Sequence, residues 1–231
     1  MKKNILKRIL CFTLILATVV PVLTFTSCNR KYDEAEVIPA ATELLKKSEV
    51  LNVVLFGEGI ATAGGGAQSG AYKEADFLHL NKLGFTTVSE LEAMVRETFT
   101  AEYSSYVVST ILKPITVDGV MYSNSRYYQL YADEVNKIDP VCIMVHTEYE
   151  YIFTDKVSYD YSTLKVKDVK KKTLFMSVMA TVTNRSGESQ STEVVFELIE
   201  ENNGWRINTG TFVNYNAYRD KYDELKDQDI K

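Results

Sequence analysis

The clearest pattern in the chain lies over residues 173–213. Leu174, Met176, Val178, Ala180 and Val182 alternate with Ser177, Thr181 and Thr183, the period of two expected of a half-buried strand. Residues 184–189 have turn chemistry. The chain then returns through Thr192, Val194, Phe196 and Leu198, with Glu193 and Glu197 on the opposite face. A second turn over 201–204 leads into Trp205-Arg206-Ile207. The spacing predicts a three-stranded antiparallel meander whose apolar face needs a covering layer.

Upstream the period lengthens. Ala41, Leu44, Leu45, Leu51, Val54 and Leu55 recur at helical spacing, predicting a helix over 39–56 that opens on Pro39 and stops at Gly57 and Gly59. Thr87-Val88-Ser89-Glu90 is a capping box, and Leu91, Met94, Val95 and Phe99 follow on one face. Thr100 is placed to cap a third helix over 101–112, with Tyr103, Tyr106, Val107, Thr110 and Ile111 along one face, ended by Pro114. Residues 61–70 read as a glycine-rich mobile loop or a lid over a pocket, without the spacing of a phosphate loop or dinucleotide fingerprint. Residues 76–85 read as extended.

The strand signals come next. Asp118-Gly119 between apolar runs predicts a hairpin. Residues 126–131 continue a sheet or make an irregular crossing, and Pro140 breaks the chain. From Ile143, the odd positions Val145, Thr147, Tyr149, Tyr151 and Phe153 oppose Met144, His146, Glu148 and Glu150, predicting a strand. Residues 157–169 predict another. Helices followed by strands indicate an α+β fold, with N-terminal helices packed on a strongly curved antiparallel sheet, over residues 39–218.

Composition alters the picture at the two ends. Lys2, Lys3, Lys7 and Arg8 precede an apolar run over 9–22 that is shorter than the ~20 residues of a membrane span. Residues 1–27 therefore read as a signal peptide. Thr24-Phe25-Thr26-Ser27-Cys28 has the form of a bacterial lipobox, with Phe25 where leucine is usual. Cys28 is thus the candidate lipidation site, anchoring the chain by acyl groups on the outer face of the cytoplasmic membrane. Residues 28–38 read as a polar tether and 219–231 as a charged tail. The four basic residues before Cys28 have no acidic counterpart, so the remainder carries 22 basic against 31 acidic residues, a net of −9. That charge argues against nucleic acid as partner. Of the three cysteines only Cys142 is left for the folded body, so no internal disulfide forms, and its apolar neighbours mark it as a structural thiol.

The helices, the bent sheet and Asn203-Gly204-Trp205-Arg206-Ile207 together resemble the nuclear transport factor 2-like, cystatin-like cone fold of secreted bacterial proteins, over about residues 39–215. More loosely, Phe56-Gly57-Glu58-Gly59, the helix pair over 87–103 and the Asp118-Gly119 hairpin resemble secreted inhibitors of cell-wall DL-endopeptidases. The resemblance implies a cone able to hold a ligand. In some members that cone is an isomerase or dehydratase site, with a carboxylate or histidine base and a tyrosine or acid donor. An inhibitor would use the loop over 60–71 with Glu58, Glu74 and Asp76.

The candidate pocket residues are Tyr103, Tyr106, Tyr149, Tyr151 and Trp205. No catalytic set, cofactor motif or metal-ligand spacing is assigned. His79 and His146 stand apart, and Cys142 and His146 lie about 13 Å apart along a strand. His146 and Glu148 alternate with Tyr149 and Tyr151 and so face away from them. Lys165, Lys167, Lys170, Lys171 and Lys172 protect a strand edge or meet an anionic surface. The expected function is non-enzymatic binding or modulation of an envelope partner, a protein or a small ligand. DL-endopeptidase inhibition and a small-pocket isomerase or dehydratase are the alternatives.

Overall fold

A computed structural model describes residues 32–117, 120–123, 125–149, 156–170, 172–184, 186–202 and 204–208. The chain divides into units Met1–Asp33 and Glu34–Lys231, and every element below belongs to the second. Among the described residues no helix is long and apolar enough to cross a membrane.

The fold is α+β, with N-terminal helices packed on antiparallel sheets. Helix α1 is Glu34–Leu51, α2 Phe77–Leu83, α3 Val88–Thr98 and α4 Ala101–Val107. The strands are β1 Gln68–Ser69, β2 Tyr72–Glu74, β3 Ile115–Val117, β4 Val120–Ser123, β5 Tyr127–Asp133, β6 Ile138–His146, β7 Lys156–Lys170, β8 Thr173–Thr183, β9 Ser189–Glu201 and β10 Gly204–Ile207. They form one sheet of order β1-β2-β6-β5, a second of order β10-β9-β8-β7, and the ribbon β3-β4. The Asp118-Gly119 turn lies outside the described residues, as do Tyr151, Phe153 and residues 209–213 of the meander.

The second sheet is the predicted meander with β7 added. Leu174, Met176, Val178 and Ala180 on β8 and Val194, Phe196 and Leu198 on β9 are buried. Ser177 is also buried, although it lies on the other face. Helix α1 contacts both β7 and β10, the two edge strands of this sheet. Three interstrand spacings span about 14 Å, and a helix with side chains is about 10 Å across. One helix can meet both edges only if the sheet curls around it, and the sheet is a strongly curled half-barrel. A large bulge assists. Asp160 pairs with Met179 and Lys165 with Ser177, so residues 161–164 are opposed by Val178 alone. Asp160 Oδ1 accepts from Ser162 N–H at 3.1 Å, and Thr163 Oγ1 accepts from Met179 N–H at 2.8 Å, which holds the bulge. Its displaced Tyr161 hydroxyl donates to Glu49 Oε2 on α1 at 2.7 Å, and Tyr159 N–H donates to Glu49 Oε1 at 3.0 Å. Burial, and then the bond to the Glu49 carboxylate, raise the Tyr161 pKa.

Several sequence expectations are corrected. Helix α1 begins at Glu34, inside the stretch read as tether, and Pro39 lies within it. A proline near the start removes one interior bond. Burial of Val37 extends the apolar stripe one turn ahead of Ala41, and Glu34 and Glu36 favour the positive helix terminus. Residues 76–85 are not extended. Asp76 Oδ1 accepts from His79 N–H at 2.8 Å and Gly84, at φ +88°, closes α2. The loop over 61–70 is tied down rather than free: β1 pairs with β2, Thr62 bridges Ala75, and Ala67 N–H donates to Glu74 Oε2 at 2.7 Å. Pro140 sits within β6 opposite Tyr131, where the register shifts by a bulge that accommodates it. Thr100 does not cap α4 with its side chain; its hydroxyl meets Asn208 Oδ1 at 3.4 Å. The capping box of α3 forms as the sequence predicts.

Both α1 and α4 end in π-helical turns, Asn52–Phe56 and Val108–Leu112. Arg126 joins the two ends. Its backbone N–H donates to Ile111 O at 2.8 Å, its Nη1 to Leu55 O at 2.8 Å and its Nη2 to Gly57 O at 2.5 Å. The side chain is 3% exposed, and no carboxylate lies within salt-bridge distance among the described residues. Carbonyls at a helix C-terminus, with their negative end of the dipole, replace the missing anion. Gly59, at φ +84°, packs against the guanidinium, and a Cβ there would lie 2.5 Å from Nη2.

Candidate functional site

A groove of about 430 Å³ opens between α1, the end of α3 and β10, lined by Ala40, Glu43, Leu44, Lys47, Glu97, Trp205 and Arg206. Ala40, Glu43, Leu44 and Lys47 recur at spacings of three and four and so share one face of α1. Strand β10 starts at Gly204 and carries Trp205 and Arg206, which both line the groove. Ile207 is fully buried while Trp205 and Arg206 are half-buried. Parallel pairing of Phe99 with Ile207, and Thr100 N–H donating to Ile207 O at 3.0 Å, dock the end of α3 beside the strand.

The lining is amphiphilic. Ala40, Leu44 and the Trp205 ring supply apolar surface. Among the lining charges, Lys47 Nζ contacts Glu97 Oε2 at 2.8 Å, and Glu43 Oε1 is held at 2.8 Å by Lys46 Nζ from outside the lining. The Lys47 hydrogen bond lowers the Glu97 pKa, with Arg206 adding a weaker attraction. Arg206 folds back over its own strand, Nη1 donating to Trp205 O at 2.7 Å. The absence of a side chain at Gly204 permits this, since a Cβ there would lie 2.9 Å from Nη1.

The structure does not gather the five predicted pocket residues. Trp205 alone lies in the groove. Tyr103 is buried with its ring 4.7 Å from Phe99, and Tyr106 is half-buried on α4. Tyr149 stacks near the Arg126 guanidinium at 5.3 Å, and Tyr151 lies outside the described residues. The expected opposition of His146 and Tyr149 fails. Strand β6 ends at His146, the chain turns, and Tyr149 N–H donates to His146 O at 3.4 Å, so the two rings sit 6.3 Å apart. Tyr72 completes this cluster, 4.7 Å from His146 and 4.8 Å from Tyr128.

The polar atoms around that cluster hold backbone. Tyr72 Oη donates to Ser125 O at 2.7 Å and Tyr127 Oη to Val54 O at 2.5 Å, while Arg126 binds the carbonyls already described. The Tyr127 pKa is pushed up to about 12, chiefly by burial. Glu74 and Asp76, acidic residues of the loop expected to serve an inhibitor, are bonded to Ala67 and His79 N–H groups. His79 Nδ1 accepts from Ala61 N–H at 2.9 Å. Cys142 is half-buried with Sγ 3.7 Å from Met144 Sδ, and burial raises its pKa. In the lysine run, Lys167 pairs with Glu193 at 2.9 Å and Lys170 lies 4.9 Å from the Phe175 ring centre. Among the described residues no three metal-ligating groups converge.

Sequence reasoning missed Lys47, Glu97 and Arg206 in the groove. The signal for α1 was present in the i, i+4 spacing of Glu43 with Lys47 and Ala40 with Leu44. Nothing local places Glu97 fifty residues away beside Lys47. No protein-family model matches the chain, and no curated protein matches it.

Proposed function

We propose that the chain is a surface-anchored, non-enzymatic lipoprotein domain. It is held on the outer face of the bacterial cytoplasmic membrane by acylated Cys28, and it binds an envelope partner, a protein or a small ligand, through the groove at Trp205. The observation that carries this reading is the groove's construction: it is open, with an apolar floor and rim charges that pair with each other. Its volume falls in the range of ligand sites, about 300–1,000 Å³. Polar groups elsewhere that resemble acid–base machinery are spent on backbone carbonyls and N–H groups.

Trp205 is the only tryptophan, so its emission reports groove occupancy without a label. Fractions of native envelope extract are titrated into the purified protein. A blue shift that saturates, and that is lost in Leu44→Arg, is the expected result. A partner retained in full by Leu44→Arg and silent at Trp205 refutes the groove as the site. Palmitate incorporation that is absent in Cys28→Ala, with the acylated but uncleaved precursor accumulating under globomycin, tests the anchor.

A further inference from the structure

The rim charges of the groove do not cancel evenly. Each carboxylate has its own lysine: Glu43 is held by Lys46 at 2.8 Å and Glu97 by Lys47 at 2.8 Å. Arg206 is left over. Among the described residues the guanidinium's only hydrogen bond is Nη1 to its own strand's Trp205 O at 2.7 Å, and no carboxylate lies within 4.0 Å of it. Glu97 is near enough to feel its charge but is bonded to Lys47 instead. The remaining guanidinium N–H donors therefore have capacity at the mouth of a groove whose floor is Trp205, Leu44 and Ala40. A guanidinium presents paired donors in the geometry of a carboxylate.

We infer that the groove takes a carboxylate carried on an apolar body, with Arg206 binding the carboxylate and Trp205, Leu44 and Ala40 covering the body. This rests on the groove being the binding site. The unspent cation selects the sign of the ligand, and the tryptophan beside it selects apolarity. Gly204 is part of the device, because a Cβ there would lie 2.9 Å from Nη1 and shift the guanidinium from this position.

Trp205 emission is followed while the full chain in nanodiscs is titrated with octanoate, N-acetylleucine, their two amides and octylamine. Saturable shifts are expected with the acids, at least about tenfold weaker in Arg206→Gln and partly restored in Arg206→Lys. Gly204→Ala is expected to weaken the acids while leaving the far-ultraviolet circular dichroism unchanged. The two acids distinguish a fatty acid from an acylated amino acid or peptide end, and a shift with either supports the inference. Equal shifts from acids and amides, shifts from octylamine alone, or full retention in Arg206→Gln overturn the inference and leave the groove as a binding site. Silence toward every probe overturns the inference, and if envelope fractions are silent too the proposed function falls with it.

Discussion

The β7–β10 sheet turns toward α1 a row of apolar residues at every second position, Leu174 to Ala180 on β8 and Val194 to Leu198 on β9. The β1-β2-β6-β5 sheet has a two-residue edge strand, a proline in β6 and a register shift opposite it. Its neighbours are attached by bonds from side chain to backbone: Glu74 to Ala67 N–H, Gln129 Oε1 to Val88 N–H at 3.1 Å, and Arg126 to Leu55 and Gly57 carbonyls. Burial of a period-two face organises the β7–β10 sheet. Satisfaction of individual backbone groups at helix ends and loops organises the β1-β2-β6-β5 sheet. Helix α1 is therefore fixed twice, by apolar area along its length and by a guanidinium at its end.

Mutations separate the two modes. Phe196→Ala removes the largest inward side chain of β9, which is 1% exposed; it is expected to cost about 3–5 kcal/mol in chemical denaturation, as other buried phenylalanines do. Arg126→Met keeps the volume but leaves two helix-end carbonyls without their charged donor, for an expected loss of about 2–4 kcal/mol. Arg126→Lys is expected to recover less than half of it, because one ammonium cannot reproduce the fork. If Arg126→Met proves neutral, the contrast between the sheets disappears. Gly59→Ala is expected to cost about 1–3 kcal/mol, from its positive φ and the 2.5 Å approach to Arg126.

Alkali gives a finer probe of the same end of α1. Tyr127 has its pKa raised from 10.0 to about 12. The folded state therefore holds the phenol proton where the unfolded chain releases it. The stabilisation is full below pH 10 and is lost as pH rises through about 12, falling at about 1.4 kcal/mol per pH unit within that window. Tyr127→Phe is expected to lessen the slope by this amount, while Tyr161 and Tyr72, also raised on folding, keep their own shares, as measured by denaturation across pH 9–12.

The period-two face of β8 and β9 was legible because both partners of each contact obey one rule. The α3 capping box was legible because its bonds close within four residues. The start of α1 was misread because Pro39 is a stronger local signal than the single buried Val37 before it. Helix α2 was misread because Phe77 and Leu78 are 65% and 70% exposed, which breaks the expected stripe. At the groove, Trp205 was visible as an aromatic after a turn. Arg206 and Glu97 were not, since their role depends on which residues lie across from them in the fold. The displaced Tyr149 followed from a turn that no residue between His146 and Tyr149 announces.

One helix touches both edges of a curled sheet, and nuclear Overhauser effects measure this directly. Side chains of α1 are predicted to show cross-peaks to the ring of Trp205 on β10, from Leu44, and also to the ring of Tyr161 on β7, from Lys46 and Glu49. Cross-peaks from α1 to only one of those two rings, in a protein whose β8–β9 pairing is intact, contradict it.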